Sequence, residues 1–514
     1  MRSLRALFTQ SVFPVLLLLL LLIACGGGGG SDSDANTPAA SVPVVGRFVA
    51  EPGYIVSGSG GSVALAWQVS GADRLTITPD VGTVSGASGS TSVHPTVTTT
   101  YTLLAENAQG SASATASVAV GTTAPAGGQA YGDVPAGLPA RLSVGLVEDP
   151  GETWMRDSGV AWDMRYHYFT KGWRDNWTWD PTNSGQWGLD YMNECDEHGF
   201  LPVVQYYCMN GFSGYDESAF YATTQNASVM ADYFDDFKVL MQRCKEFDKP
   251  VLVLMEGDGY AYMEIQTGDN PDAYAAVDAT GMPELAGLPD TAAGWGLAFL
   301  KIRQAVGADK VILGMHISGW ATQKDIGYYQ TDVPLQPEVD QAYAFLSKLG
   351  LDANVTGSTY DVLVGDPLDR DSGFYEIHEG LGQARWWDAS DAAPIDSKSF
   401  NRYAEWMRLW NIKAQKRWVL WQIPLGNSNH LNVWNDDGPR QGYKDNRPEY
   451  FFANGTDHLR KFADAGAIAL LFGPGAAGQS YCTNDVYTDG QLFMQSRAGA
   501  ILNAGGVPIV TDGN

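Results

Sequence analysis

Two carboxylates one residue apart close an apolar run, Val251-Leu-Val-Leu-Met-Glu-Gly-Asp-Gly-Tyr260. An unbroken apolar stretch of this length reads as a strand buried on both faces, the mark of a parallel sheet. Side chains two apart on a strand point the same way. Glu256 and Asp258 therefore leave its carboxyl end together if the extended geometry persists. Carboxyl groups set against apolar walls and against each other have raised pKa values, which suits one of them to proton donation. The competing reading is that both merely cap the helix that follows, because acidic residues favour helix N-termini.

The elements that must hold this pair can be parsed along the chain. Eight buried runs read as strands: Leu142–Val147, Ala161–Tyr168, Leu201–Tyr207, Val251–Met255, Val311–Met315, Asp361–Val364, Trp418–Gln422 and Ala467–Phe472. Amphipathic stretches fall between most of them, among them 226–247, 292–306, 336–349 and 399–415. Alternating β and α with buried strands implies parallel pairing, and eight repeats predict a (β/α)8 TIM barrel. The short gap between the first two strands requires a stunted or missing first helix. An open doubly wound sheet is the alternative. No G-x-G-x-x-G follows the first strand, which argues against dinucleotide binding.

In such a barrel the chemistry sits at the carboxyl ends of the strands. The second strand carries Asp163, Arg165 and His167 on one face and Trp162, Met164, Tyr166 and Tyr168 on the other. We expect the apolar face to meet the helices and the polar face to point into the barrel. Arg165 is then a partner for Asp163 or a charge beside Glu256. The loop after it, Lys171-Gly-Trp-Arg-Asp-Asn-Trp-Thr-Trp179, offers indoles, Trp173 and Trp177 among them, that are costly to expose without purpose. Gln205 and Tyr207, His316 and Trp320, and Trp421, Gln422 and Asn427 close three further strands. Aromatic rings that stack on sugar C–H faces, together with amides and carboxylates, make a carbohydrate-binding inventory. Cleaving a glycosidic bond needs one protonated carboxyl and one carboxylate. Glu256 or Asp258 is the expected acid, and Asp366 or Asp163 the expected base or nucleophile. Asp366 could equally be a loop cap before Pro367.

The rest of the chain is organised around delivery. Arg2, Arg5 and the apolar run 12–24 form a secretory signal too short to span a bilayer. Its end, Leu22-Ile23-Ala24-Cys25, resembles a bacterial lipobox. That implies cleavage after residue 24, lipidation of Cys25, and a place in the cell envelope at the outer membrane or cell surface. Residues 25–43 read as a flexible tether. Residues 44–121 alternate apolar with polar, are rich in Ser, Thr, Gly and Val, and resemble a bacterial immunoglobulin-like β-sandwich with Trp67 in its core. Residues 122–137 form a linker, and 138–514 the barrel. Beyond Cys25, the four cysteines 195, 208, 244 and 482 permit two disulfides in an extracytoplasmic protein, with Cys195–Cys244 the favoured pair. A formal charge of −26 argues against nucleic acid as a partner and suits a neutral or cationic substrate. We expect a monomer.

The barrel resembles glycoside-hydrolase-type TIM barrels. More closely, it resembles a group of secreted bacterial barrel proteins of mostly unassigned activity. The resemblance is carried by Asp163-Met-Arg-Tyr166, Tyr206-Tyr207, Glu256-Gly-Asp258, Gln422-Ile-Pro-Leu-Gly-Asn427, Tyr443-Lys-Asp-Asn-Arg-Pro-Glu-Tyr450 and Leu471-Phe-Gly473. With the paired strand-end carboxylates and indole-rich loops, we expect a surface-anchored hydrolase of polysaccharides, with Arg165, Trp173, Trp177, Gln205, Tyr207, His316, Trp320, Trp421, Gln422 and Asn427 around the substrate. Gln422 stands where many retaining barrels carry a nucleophilic Glu. That departure leaves open a catalytically silent, glycan-binding or adhesion lipoprotein, or a lyase or transglycosylase. No cofactor is expected. The acidic, turn-rich stretch 434–449 could hold calcium through oxygen ligands or be a solvated loop.

Overall fold

The computed structural model describes residues 42–51, 54–56, 61–97, 99–121, 132–175, 183–352, 354–380, 384–426, 443–475 and 493–509. The expectations at Cys25, Trp177, Asn427, Cys482 and residues 434–442 lie outside them.

The first eight strands form two sheets. β1 (Val44–Glu51), β3 (Val63–Ser70) and β6 (Ser88–Val93) make one, in the order β1-β3-β6. β2 (Tyr54–Val56), β4 (Arg74–Thr78), β5 (Gly82–Val84), β7 (Thr99–Asn107) and β8 (Gly110–Gly121) make the other, in the order β2-β8-β7-β4-β5. The period-2 pattern of β3 places Val63, Leu65, Trp67 and Val69 inward, where they meet Leu75, Ile77, Tyr101, Leu103 and Val118 in one apolar core.

The remaining strands close a barrel. β9 (Arg141–Val147), β10 (Met164–Thr170), β11 (Leu201–Tyr207), β12 (Val251–Met255), β13 (Val311–His316), β14 (Val362–Gly365), β15 (Trp418–Ile423) and β16 (Ala467–Phe472) pair in sequence. All are parallel, and β16 returns to β9 through Ala469↔Ser143. The strands are nearly all buried residues, because helices cover one face and the barrel's own side chains fill the other. Long amphipathic crossovers, Ala227–Phe247, Ala292–Val306, Leu335–Leu346 and Phe400–Ala414, supply that cover. Between β9 and β10 the crossover shrinks to one turn, Trp154–Asp157.

Two expectations are corrected here. The faces of β10 are the reverse of those expected. Arg165 bonds Glu194 of the helix Gln186–Glu197 at 3.0 Å and lies 3.5 Å from Glu148, while His167 packs on Trp187 and Tyr191 of that same helix. Tyr168 points the other way, against Trp421. A buried guanidinium goes where its carboxylates are, and these belong to the helix layer and the turn after β9. Arg165 therefore pairs with neither Asp163 nor Glu256. The expected Cys195–Cys244 disulfide is not formed either: among the described residues Cys195, Cys208 and Cys244 are buried free thiols, and Cys244 packs on the Met192 sulfur at 3.8 Å.

Asp163 immediately precedes β10, at the amino-terminal rim. Its carboxylate accepts from Arg141 and from the Val144 amide, both at 3.0 Å, and its side chain is 5% exposed. It ties the bottoms of β9 and β10 together. Removing one partner of such a pair strands the other charge, so Asp163→Ala should lower the unfolding free energy by roughly 3 kcal/mol. Chemical denaturation measures this, and a loss below about 1 kcal/mol, the range of exposed pairs, would show that the contact does not hold the rim.

Candidate active site

The extended backbone of β12 stops at Met255. Glu256 and Asp258 then take left-handed conformations, with φ of 40° and 62°. Such φ values are costly for residues bearing a Cβ and concentrate at functional sites. Gly257 lies between them with the Trp421 indole alongside. A Cβ there would come within 3.0 Å of the Trp421 ring and 3.5 Å of Gln205 Nε2. The turn also separates the two carboxyl groups, so they do not leave on one face as extended geometry would require.

Glu256 turns toward β11. Its Oε1 accepts from the backbone amides of Cys208 (3.2 Å) and Met209 (3.1 Å) and from the Tyr233 hydroxyl (2.7 Å). The residue is 1% exposed yet lines the cleft, which leaves Oε2 for that side. Burial outweighs the three donors and lifts its pKa to about 8. Asp258 turns toward β13. Its Oδ1 accepts from Ser318 Oγ at 2.9 Å, and its backbone N–H donates to His316 Nδ1 at 3.1 Å. Although it stands at the N-cap position of the helix Gly259–Thr267, its side chain makes no capping bond, contrary to a purely structural role. About a third of its side chain remains open (31%), and burial of the rest raises its pKa to about 6.

An Nδ1 that accepts an N–H must be unprotonated, so His316 is neutral with its hydrogen on Nε2. Burial agrees, lowering its pKa to about 3. That Nε2–H has no partner among the described residues, and neither do Trp421 Nε1, both amide atoms of Gln205 or Asp366 Oδ1. Gln205, His316 and Trp421 are at most 3% exposed. An unmade buried hydrogen bond costs roughly 1–3 kcal/mol, so several at one barrel mouth mark a place built for a polar ligand.

Asp366 follows β14. Its Oδ2 accepts from Gln422 Nε2 at 3.2 Å, and Gln422 Oε1 accepts from the Tyr168 hydroxyl at 2.8 Å. Burial, then the charges of Asp258 and Asp369, hold the Asp366 pKa well above the usual carboxylate range. Gln422 has φ of 55° and is overlain by Gly475, where a Cβ would fall 1.8 Å from its amide carbon.

An open cleft at this mouth is lined by Tyr207, Asn210, Ser213, Glu217, Phe220, Glu256, Gly257 and Tyr262. Trp320 packs at a tilt against Tyr262, ring centroids 5.3 Å apart. Glu256, Asp258, Asp366, Gln205, Tyr207, His316, Trp320, Trp421 and Gln422 are thus at the carboxyl rim. Asp163 and Arg165 are not brought there. Nor is Trp173, which is fully buried, packs on Phe169 and donates from its indole to Asp236 at 2.8 Å. Its apolar ring fills the space under the helix Ala227–Phe247 instead of facing a ligand. Glu217, Tyr233 and Tyr262 escaped the sequence reading because they lie outside the strand ends. Ser318 was legible, two residues after His316. Asp445 is committed to Arg447 (2.8 Å) and to the Ser372 backbone and hydroxyl, so it is not available to calcium. No metal-holding cluster occurs among the described residues.

No family model matches the chain, and no curated protein matches it. It is similar to several solved structures at low identity. One is a glycoside hydrolase family 26 endo-β-1,4-mannanase of Cellulomonas fimi (12% identity, 74% of this chain and 80% of that chain, TM-score 0.39). Another is a Podospora anserina GH26-CBM35 β-(1,4)-mannanase (11%, 91% and 95%, TM-score 0.37). A third is a Bacteroides ovatus GH5 xyloglucanase (10%, 90% and 98%, TM-score 0.33).

Because its folded pKa lies above the unfolded value, native Glu256 binds more protons than the unfolded chain between pH about 4.5 and about 8. Its contribution to stability is full below that window and falls as pH rises through it. Glu256→Gln copies the protonated form and keeps an oxygen for the three donors. The variant should gain stability relative to wild type as pH rises from 5 to 8, measured by denaturation midpoints. A gap that does not change with pH would show that Glu256 is not held protonated.

Proposed function

We propose that this chain is a surface-anchored glycoside hydrolase acting on a polysaccharide by carboxylate catalysis. One observation carries the reading. Two carboxyl groups at one strand end have environments that push their pKa values apart, to about 8 and about 6, beside aromatic walls and unpartnered polar groups. Glu256, protonated at neutral pH, donates from Oε2 to the glycosidic oxygen as the bond breaks. Asp258, ionised and held by Ser318, either removes a proton from attacking water or adds to the anomeric carbon. Asp366, its pKa raised by burial, presents Oδ1 to a sugar hydroxyl. His316 Nε2–H, Gln205, Trp421 and Tyr207 hold the ring. This assigns Asp258 the role expected of Asp366 or Asp163, since Asp258 is the carboxyl most readily ionised. The two-sheet unit 44–121 is read as an immunoglobulin-like spacer, and Cys25 as the lipid anchor in the cell envelope.

The second reading, a glycan-binding lipoprotein without turnover, is favoured by Gln422 at the end of β15. Reducing-end release from a glycan panel separates the two. Activity should rise with pH through about 6, as Asp258 loses its proton, and fall through about 8, as Glu256 loses its own. Glu256→Gln and Asp258→Asn should each lower kcat by about a hundred- to ten-thousand-fold. Equal release by all three proteins would remove these assignments, and binding without release would select the silent barrel.

A further inference from the structure

We propose that the sugar seated in the cleft carries a free amine, so that the substrate is a polysaccharide containing unacetylated amino sugars. The proposal rests on the hydrolytic reading of the same cleft and narrows it.

Three walls of the cleft are aromatic rings, Tyr207, Phe220 and Tyr262. Glu217 adds a carboxyl group beyond the protonated Glu256, and among the described residues no lysine or arginine lines the cleft. Asn210 adds an amide oxygen, Oδ1, with no hydrogen-bond partner. Next to Gly257, the amide of Gln205 is fully buried and unpartnered, which leaves its Oε1 as a further acceptor. Aromatic faces attract cations through their quadrupoles, and an ammonium has three hydrogens to give and no lone pair to offer. A wall of rings and acceptors matches that group better than a hydroxyl, which would leave acceptors facing its own oxygen.

The long-range field has the same sign. Burial and then Asp258, Glu256, Glu217 and Asp366 push up the Tyr207 hydroxyl. Burial, Asp258 and a hydrogen bond to Glu217 do so for Tyr262. Hydrolysis needs two carboxyl groups. Glu217 exceeds that need. It is exposed on the cleft wall, has no ion pair among the described residues, and is held by Tyr262 where it can meet a cation entering from solvent. The net charge of −26 draws a polycation toward the protein as a whole.

The test compares a glucosamine hexamer, its N-acetylated counterpart and mannohexaose on the full chain, by product release and by calorimetric binding. Acetylation removes the charge and keeps the ring. The glucosamine hexamer should show at least about a tenfold higher kcat/KM than the other two, an advantage that shrinks as salt is raised. Glu217→Gln should raise KM for the amine about tenfold and lower kcat much less, with no such KM change for mannohexaose. Equal or better turnover of either uncharged glycan overturns the amine and leaves the hydrolase standing. Salt-sensitive binding of the glucosamine hexamer without cleavage, weakened in Glu217→Gln, upholds the amine and removes the hydrolase. Neither binding nor cleavage of the glucosamine hexamer overturns the proposal.

Discussion

Glu256 Oε1 lies under two backbone amides and a tyrosine hydroxyl, inside a barrel mouth that excludes most water. Much of the site follows from that burial. A carboxyl so placed is neutral over most of the physiological range, and it stays where it is because its acceptor oxygen is tied to the start of the loop after β11. To put it there the chain must turn sharply at the last residue of β12. The turn costs left-handed backbone at both Glu256 and Asp258, of order 1–3 kcal/mol each. The strand behind, buried at every residue, and the helix Gly259–Thr267 ahead hold the strained segment between them. The side chain of Asp258 is delivered to Ser318 as a consequence, on the opposite side of Gly257 from Glu256.

The same turn governs what surrounds it. Gly257 has no side chain, so the Trp421 indole moves in, and with it come Tyr168 on one side and His316 on the other. Indole, imidazole and amide groups of β11, β13 and β15 then share one layer of the barrel, as alternate strands do. Their hydrogen-bonding atoms are left without protein partners. A core built for stability alone would replace such groups with apolar ones of the same volume, since a satisfied apolar layer costs nothing in lost hydrogen bonds. Polar groups kept at this cost are those a ligand must meet.

Much of the fold was written in the chain. The eight strands were legible because buried parallel strands are continuous apolar runs, and β11, β12 and β16 matched to the residue. β10 was misread by period. Its alternation is real, yet two-sided burial leaves the choice of face to where Glu148 and Glu194 lie, which no local pattern reveals. Trp173 was misread by composition, since an indole in a polar loop can turn inward when Asp236 waits for its N–H. Asp163 carried the right chemistry at the wrong end of its strand. Rim residues after a strand act in the mouth, and those before it serve the floor. Glu217 and Tyr262 could not be found by this logic, because a loop and a helix bring them to the cleft from outside the barrel.

Gln422 sets a neutral amide among acidic side chains at the end of β15, and the local electrostatics account for it. Its amide is used at both ends, accepting from Tyr168 and donating to Asp366. A glutamate at that position would withdraw the donor from Asp366 and set a second negative charge against it. That mouth already holds Glu256, Asp258 and Asp366, with Asp369 acting on two of them. Like charges so close cannot all ionise, and each added carboxylate drives its neighbours toward the neutral form. A neutral amide at Gln422 avoids this. It lets Asp258 ionise more readily than Glu256, which keeps its proton near neutrality. The carboxyl groups of the mouth thus differ in how readily they ionise, with Asp258 in the turn after β12 the readier and the amide at the end of β15 serving to hold Asp366.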